Sequence, residues 1–327
     1  MLIEKIFERA HNENAKKFKG EIKMKKIIVF VLLFAMMLSL AACGGSSDKE
    51  IKQPSNNSIE DNVDSSESKQ SEQSESSVTA KATINETVLV DEEGVKITAK
   101  SLETGGLFGD EIKLLIENDS GKDLTFQCRN ASVNGYMVET MMSVDVANGK
   151  KANDSLTFMK ADLNICEIST IADMEFSFHI FTSDDWETYL DTAQIQLKTS
   201  VADTYQYTFD DSGDLIYDDN GVKVVLKGMD SNISIMGPSL IVYIENNTDK
   251  NITVQSQDVS VNGFMINTIF SADVVAGKHA IDTITFMNSE LEENDIASIE
   301  TVEISLIGYD FASYNTLFES DKINLSF

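Results

Sequence analysis

Along most of the chain, apolar and polar residues alternate with the two-residue period of β-strands. Val95, Ile97 and Ala99 are separated by polar residues, and the same alternation runs through Leu124–Arg129. Such alternation turns one face of a strand to a core and the other to solvent. The runs are short, turn residues separate them, and no strand–helix alternation appears. The pattern therefore predicts an all-β fold and argues against a parallel sheet.

The body of the chain contains an internal repeat: one unit occurs twice, 128 residues apart. Ser132–Met137 recurs as Ser260–Met265 with a single Tyr-to-Phe change, and from Val133 to Met159, 15 of 27 positions are identical to the later copy. A unit of roughly 115 residues has the size of a domain and not of a solenoid repeat. We therefore divide the body into repeat 1 (residues 82–200), a linker (residues 201–214) and repeat 2 (residues 215–327).

Each repeat contains seven or eight short predicted strands. Asn134-Gly135 is the strongest hairpin signal, because a type I′ turn needs positive φ at two successive residues, and Asn262-Gly263 repeats it. The number of strands and the domain length favour two tandem antiparallel immunoglobulin-like β-sandwiches. The Cys–Trp–Cys core of antibody domains is absent, so only the architecture is expected to be shared.

The strand after each Asn-Gly turn has an unusual outer face. Alternation puts Val138, Met142 and Val146 on the core side, and the opposite side then also carries apolar residues, in both repeats. Exposed apolar clusters and adaptable Met side chains mark interaction surfaces. The candidate partner-binding patch consists of Tyr136, Met137, Met141, Phe264, Met265 and Ile269. The alternative is that a bulge shifts the register or that neighbouring strands cover these side chains.

The N-terminal part of the chain follows a different pattern. A basic start at Met24-Lys25-Lys26 precedes an apolar run that ends in small residues, which indicates a secretory signal peptide over residues 24–42. Residues 1–23 stand before a complete signal peptide. We take them as a mis-assigned extension, and a genuinely longer N-terminus is the alternative. Residues 43–81 are rich in Ser and Glu and almost free of apolar residues, which predicts a disordered tether.

The tetrad Leu40-Ala41-Ala42-Cys43 resembles the lipobox of bacterial lipoproteins. The resemblance implies cleavage before Cys43 and lipid attachment to its sulfur, with the chain held at the outer face of the cytoplasmic membrane. An uncleaved membrane anchor is the alternative. With its tether and its repeated Ile-Glu-Asn (residues 116–118 and 244–246) and Ser-Val-Asn-Gly-Tyr/Phe-Met segments, the chain is similar to the immunoglobulin-like lipoproteins of Gram-positive bacteria. That resemblance implies a surface-exposed, non-catalytic binding or structural module and supplies no functional residues.

The charge of the chain limits its partners. There are 26 Lys plus Arg against 54 Asp plus Glu, a net charge of −28, and loss of residues 1–42 leaves 18 basic and 50 acidic residues, a net charge of −32. Such a chain repels phosphate, so nucleic acid is not an expected partner. The membrane, through the lipid on Cys43, and an unidentified envelope or protein partner are expected.

No motif for catalysis, a metal or a cofactor emerges. The chain lacks a nucleophile elbow and a phosphate loop. His179 lies on a strand, which suggests a structural role, and His279 follows a turn, which suggests a solvated position. An EF-hand loop starting at Asp210 would need Gly and Glu where Leu215 and Gly221 stand. We therefore expect no enzyme, no cofactor and no specific metal site.

Two cysteines lie in repeat 1. Cys128 falls on the inward face of its strand and Cys166 in a loop or short turn. A disulfide is allowed outside the membrane, but their counterparts in repeat 2 are Ser256 and Asn294. A free, buried Cys128 is the preferred interpretation.

Taken together, these features favour a surface-displayed binding or interaction lipoprotein. Two alternatives remain open at this stage: a structural, envelope-spacing lipoprotein without a specific ligand, and a hydrolase whose site carries no recognisable motif.

Overall fold

The computed structural model describes residues 81–327, so the predicted extension, signal peptide, lipidation site and nearly all of the tether lie outside the described residues. Within that range no helix is long and apolar enough to cross a bilayer. The chain from residue 81 onward belongs to one compact unit. It is almost entirely β-structure, in antiparallel sheets of the immunoglobulin-like sandwich type, as the sequence predicts.

Repeat 1 contains eleven strands and one short helix. In chain order they are β1 (Thr87–Glu92), β2 (Val95–Glu103), β3 (Gly109–Asn118), β4 (Leu124–Val133), β5 (Tyr136–Met137), β6 (Thr140–Met141), β7 (Ser143–Val146), β8 (Lys150–Met159), α1 (Lys160–Ile165), β9 (Asp173–Thr182), β10 (Thr188–Asp191) and β11 (Ile195–Lys198).

Repeat 2 has the same elements in the same order. They are β12 (Asp214–Asp219), β13 (Val222–Asp230), β14 (Ser239–Asn246), β15 (Ile252–Val261), β16 (Phe264–Met265), β17 (Thr268–Ile269), β18 (Ser271–Val274), β19 (His279–Phe286), α2 (Asn288–Glu293), β20 (Thr301–Asp310), β21 (Thr316–Glu319) and β22 (Ile323–Ser326).

Each repeat is a sandwich of two sheets around its own hydrophobic core. In repeat 1 the first sheet has the order β1-β2-β3-β8-β6, and the second has the order β10-β9-β4-β5, with β7 on β4 and β11 on β9. In repeat 2 the first sheet is β12-β13-β14-β19-β17 and the second is β16-β15-β20-β21, with β18 on β15 and β22 on β20. A pairing between β5 and β19 joins the second sheet of repeat 1 to the first sheet of repeat 2.

The predicted hairpin turns have the backbone that a type I′ turn requires. Asn134 and Gly135 have φ of 51° and 84°, and Asn262 and Gly263 have 50° and 86°. The side chain of Asn134 also ties its turn to the strand entry opposite, because its Oδ1 accepts the N–H of Ala172 at 2.9 Å. The turns therefore hold the ends of β4 and β15 in the same position in both repeats.

The repeated Ile-Glu-Asn motif has a structural reason. Asn118 is fully buried, and its Nδ2 donates to the carbonyl oxygens of Lys122 (2.8 Å) and Val146 (2.7 Å). Asn246 makes the equivalent pair of bonds in repeat 2. A buried amide with satisfied donors ties the end of one strand to a turn and to the facing sheet. The motif is thus part of the scaffold.

The segment after each Asn-Gly turn is divided, where the sequence suggests one continuous strand. β5 and β7 pair with β4 in the second sheet, whereas β6 pairs with β8 in the first sheet. The segment therefore crosses between the two sheets of the sandwich. The predicted alternation survives this crossing, since Val138, Met142 and Val146 are all buried.

Candidate functional site

The hairpin of repeat 1 is covered by repeat 2. Tyr136 is only 5% exposed, and the N–H of His279 donates to the carbonyl oxygen of Gly135 at 3.0 Å. This bond begins a short parallel pairing in which Tyr136 lies opposite His279. Met137 packs against the core of repeat 2. The first half of β19 has no neighbour within repeat 2 on this side, so repeat 1 supplies it.

An aromatic cluster surrounds this joint. Phe209, from the linker, stacks on the ring of His279 with centroids 3.7 Å apart and meets Tyr136 edge-on at 5.1 Å. The hydroxyl of Tyr243 lies 2.6 Å from Nδ1 of His279. A Cβ on Gly135 would come within 2.9 Å of the Phe209 ring, so the turn needs glycine both for its positive φ and for this contact. The linker is therefore part of the interface.

Charged groups flank the aromatic cluster. Lys278 of repeat 2 donates to Glu175 of repeat 1 at 2.6 Å, and both side chains are mostly buried. Asp282, on β19, is half-buried and has a pKa raised to about 6, chiefly because burial disfavours its charged form and further because Asp162 of repeat 1 and Asp273 repel that charge. Burial also raises the pKa of Glu139, Asp162 and Asp273. The joint thus contains a favourable ion pair and a group of carboxylates whose ionisation is costly.

The structure therefore separates the six residues of the candidate patch. Tyr136 and Met137 lie under repeat 2, so the interpretation of these two as a surface for a separate partner is wrong. The neighbouring strand β19 covers them, which is the alternative that the sequence left open. The predicted solvated position of His279 is also wrong, since its ring is stacked between aromatic groups.

The hairpin of repeat 2 is open. Phe264 is 48% exposed, Met265 67% and Ile269 50%, and all three lie on one extended segment. A Cβ on Gly263 would meet nothing within 4 Å, in contrast to its counterpart Gly135. Met141, in repeat 1, is also 49% exposed. The four remaining patch residues are thus accessible, and three of them lie on the same segment of repeat 2.

The surroundings of the second hairpin are more polar than those of the first. Where repeat 1 places Ile165 and Cys166 at the end of α1, repeat 2 has Glu293 and Asn294. Glu290, on α2, accepts both the backbone N–H and the side-chain amide of Asn267 at 2.6 and 2.7 Å. The open surface is therefore an apolar strip with an acidic rim.

The other chemically interesting residues are engaged in structural contacts. Nδ1 of His179 lies 2.5 Å from Asp191. Asp210 and Asp211, which begin the loop tested for calcium, pair with Lys227 and Lys223 at 2.5 Å each. Among residues 81–327, no group of three or more His, Cys, Asp or Glu side chains could hold a metal ion.

The two cysteines of repeat 1 do not pair. Cys128 is half-buried and Cys166 is buried at the aromatic joint, and both are free thiols. Burial raises the pKa of each thiol to about 12. Such thiols stay protonated at neutral pH and are poor nucleophiles.

The linker is the part of the interface that sequence reasoning missed. Its aromatic residues, Tyr205, Tyr207 and Phe209, alternate with polar residues as a strand would. That alternation was the available signal, because a flexible spacer has no need of three aromatic side chains.

Comparison with known proteins does not identify a family for this chain. No family model matches the chain, and no curated protein matches it. Among solved structures it is similar to the YadV chaperone (11% identity, TM-score 0.22, covering 66% of this chain and 92% of the other). It is also similar to a Salmonella enterica SafA pilin–SafB chaperone complex (12% identity, TM-score 0.20, covering 73% and 98%). At these scores the likenesses carry no argument about function.

Proposed function

We propose that the chain is a lipid-anchored, extracytoplasmic binding protein that uses the open hairpin of repeat 2 to hold a protein partner. In this proposal Cys43 carries the lipid, the acidic tether separates the anchor from the folded part, and no catalysis is involved. The lipobox-like tetrad and the signal-peptide pattern support the anchor.

One observation carries the binding proposal. Two nearly identical hairpins have different surroundings: a β-sandwich covers Tyr136 and Met137, whereas Phe264 and Met265 are exposed. An exposed apolar strip costs solubility, and such strips commonly mark interaction sites. The contact made by the hairpin of repeat 1 supports a β-sheet edge with aromatic side chains as the partner surface.

Capture of envelope proteins tests the binding proposal. The soluble form, residues 44–327, is immobilised and incubated with envelope extract at native salt. We expect a specific partner that the wild type retains and the double variant Phe264→Ser/Met265→Ser loses. Both positions are exposed, so the variant should keep the wild-type melting temperature.

The control is Leu107→Ser, which removes an apolar side chain that is 83% exposed elsewhere. This variant should retain the partner. Absence of any partner would favour an envelope-spacing role, and retention by the double variant would place binding on another surface.

The anchor has its own test. Cys43→Ser should abolish the incorporation of a labelled fatty acid into the protein, because it removes the sulfur that carries the lipid. Equal incorporation by the variant and the wild type would contradict lipidation at this position. This result is independent of the capture experiment.

A further inference from the structure

A cleft with a volume of about 500 Å³ lies at one side of repeat 2, and the hairpin residues Asn262–Met265 are not in its lining. It is bounded by β12 and β22, the outermost strands of the two sheets on that side. Within the described residues β12 pairs only with β13 and β22 only with β20, so each presents an unpaired backbone edge. Leu215, Leu325 and Phe327 line the cleft. Cavities of this size accommodate small ligands or short peptide segments.

The chain itself closes the same side of repeat 1. Ala82, 5% exposed, belongs to the core of repeat 1, and Ile84 packs against that core. Between them, Thr83 exchanges two bonds with Ser200: its carbonyl accepts the Ser200 N–H at 2.8 Å, and its own N–H donates to Ser200 Oγ at 3.1 Å. A three-residue extended segment with apolar side chains at alternate positions thus fills this side of the sandwich.

The segment Ala82–Ile84 affects the burial of the neighbouring strand, β11. Leu197, on β11 of repeat 1, is only 5% exposed. Its counterpart on β22, Leu325, packs against the core of repeat 2 but remains half-buried. Repeat 2 therefore has an apolar surface at Leu325 whose counterpart in repeat 1 is covered.

The segment preceding the first strand of repeat 2 is held elsewhere. Phe209 stacks on His279 at the joint between the repeats. Asp210 and Asp211 are paired with Lys227 and Lys223. Phe209 thus lies at the interdomain joint, whereas Lys227, the partner of Asp210, is in the lining of the cleft. The linker passes beside the cleft and leaves Leu325 half-buried, so it does not fill the cleft as Ala82–Ile84 fills the same side of repeat 1.

We propose that the cleft between β12 and β22 binds an extended segment of a partner protein, with a small apolar residue and a β-branched aliphatic residue two positions apart. The pattern is that of Ala82 and Ile84 in repeat 1. The open strand edges supply main-chain hydrogen bonds, and Leu325 and Leu215 supply apolar contact. In recognition by strand addition, main-chain bonds provide affinity and side-chain contacts provide specificity. The charged side chains in the lining are Asp214 and Lys227, whose charges balance, so a segment without net charge is favoured.

A peptide with the chain's own closing sequence, Lys81–Glu86, is the probe. A fluorescent form is titrated into the full-length protein in detergent micelles, and anisotropy measures binding. We expect saturable binding that falls at least roughly tenfold in Leu215→Asp, because a carboxylate would then face buried apolar groups. Val88→Asp is the matched control: Val88 holds the equivalent position on β1 and is similarly exposed, 48% against 58%. It should bind the peptide as the wild type does.

Photo-cross-linking of the bound peptide locates it directly, even if a variant is unstable. Cross-links to β12 and β22 are expected. Absence of saturable binding, equal binding by Leu215→Asp, or cross-links confined to β1 and β11 would overturn the proposal. Concentration-dependent self-association that Leu215→Asp abolishes would also overturn it, because a second copy of the chain would then be the occupant.

Discussion

Asp282 links pH to the stability of the joint between the repeats. Its pKa is about 6 in the folded protein against an ordinary value of 3.8, mainly because burial disfavours the carboxylate. The folded state therefore binds the proton more tightly than the unfolded state. Stability that is present below pH 4 is lost as the pH rises through 6, since the buried acid must ionise. The difference of 2.2 pH units corresponds to a penalty of about 3 kcal/mol at pH 7.5, at 1.36 kcal/mol per unit.

Replacement of Asp282 by Asn should remove this penalty. The amide oxygen can still accept the Thr283 N–H, as the carboxylate does at 2.6 Å. We expect the free energy of unfolding, measured by urea denaturation, to rise by up to about 3 kcal/mol at pH 7.5 and by less than about 1 kcal/mol at pH 4.

Repeat 1 offers a matched control. Asp154 occupies the equivalent place on β8 and accepts the N–H of Ser155 at 2.7 Å. No strand of the other repeat pairs with β8 in the described part of the chain. Asp154→Asn should therefore give no comparable gain at pH 7.5. An equal gain from both variants, or a gain from Asp282→Asn that does not change with pH, would refute the assignment of the penalty to packing at the joint.

Two further predictions concern the joint and the thiols. Gly135→Ala and Gly263→Ala should each cost about 1–2 kcal/mol for a side chain at positive φ, and Gly135→Ala should cost a further ~1–3 kcal/mol because its methyl group meets the Phe209 ring. Equal losses of unfolding free energy would contradict the packing of the linker. Cys128 and Cys166 should react with a thiol reagent at pH 8 far more slowly in the native protein than in the unfolded chain, because their pKa values are about 12. Equal rates for the native and the unfolded protein would disprove the raised pKa values.

The sequence was sufficient to predict the scaffold. Alternation defined the core face, as Val138 and Val146 confirm, and the Asn-Gly pairs set the turns through their need for positive φ. These features are local: each depends on residues close in sequence. A type I′ turn or an alternating strand forms in the same way in both repeats.

The burial of one hairpin and the exposure of the other could not be predicted from such local features. Ser132–Met137 and Ser260–Met265 differ by one residue, yet Tyr136 is buried and Phe264 is exposed. The difference arises from β19, which is far away in sequence and pairs with β5. The local sequence also does not explain why Ala82–Ile84 fills one side of repeat 1 while Phe209–Asp211 does not fill the same side of repeat 2. Both outcomes depend on non-local contacts, principally the stacking of Phe209 on His279.

The central claim is that repeat 2 occupies the hairpin of repeat 1 through the edge of β19 and leaves its own hairpin open. Hydrogen exchange at two equivalent amides tests it most directly. The His279 N–H donates to Gly135 across the joint. Lys151 holds the same position on β8, where β3 pairs on one side and no strand of the described residues pairs on the other. We predict exchange at least about tenfold slower at His279 than at Lys151. Equally fast exchange at both amides would contradict the joint and, with it, the distinction between an occupied and an open hairpin.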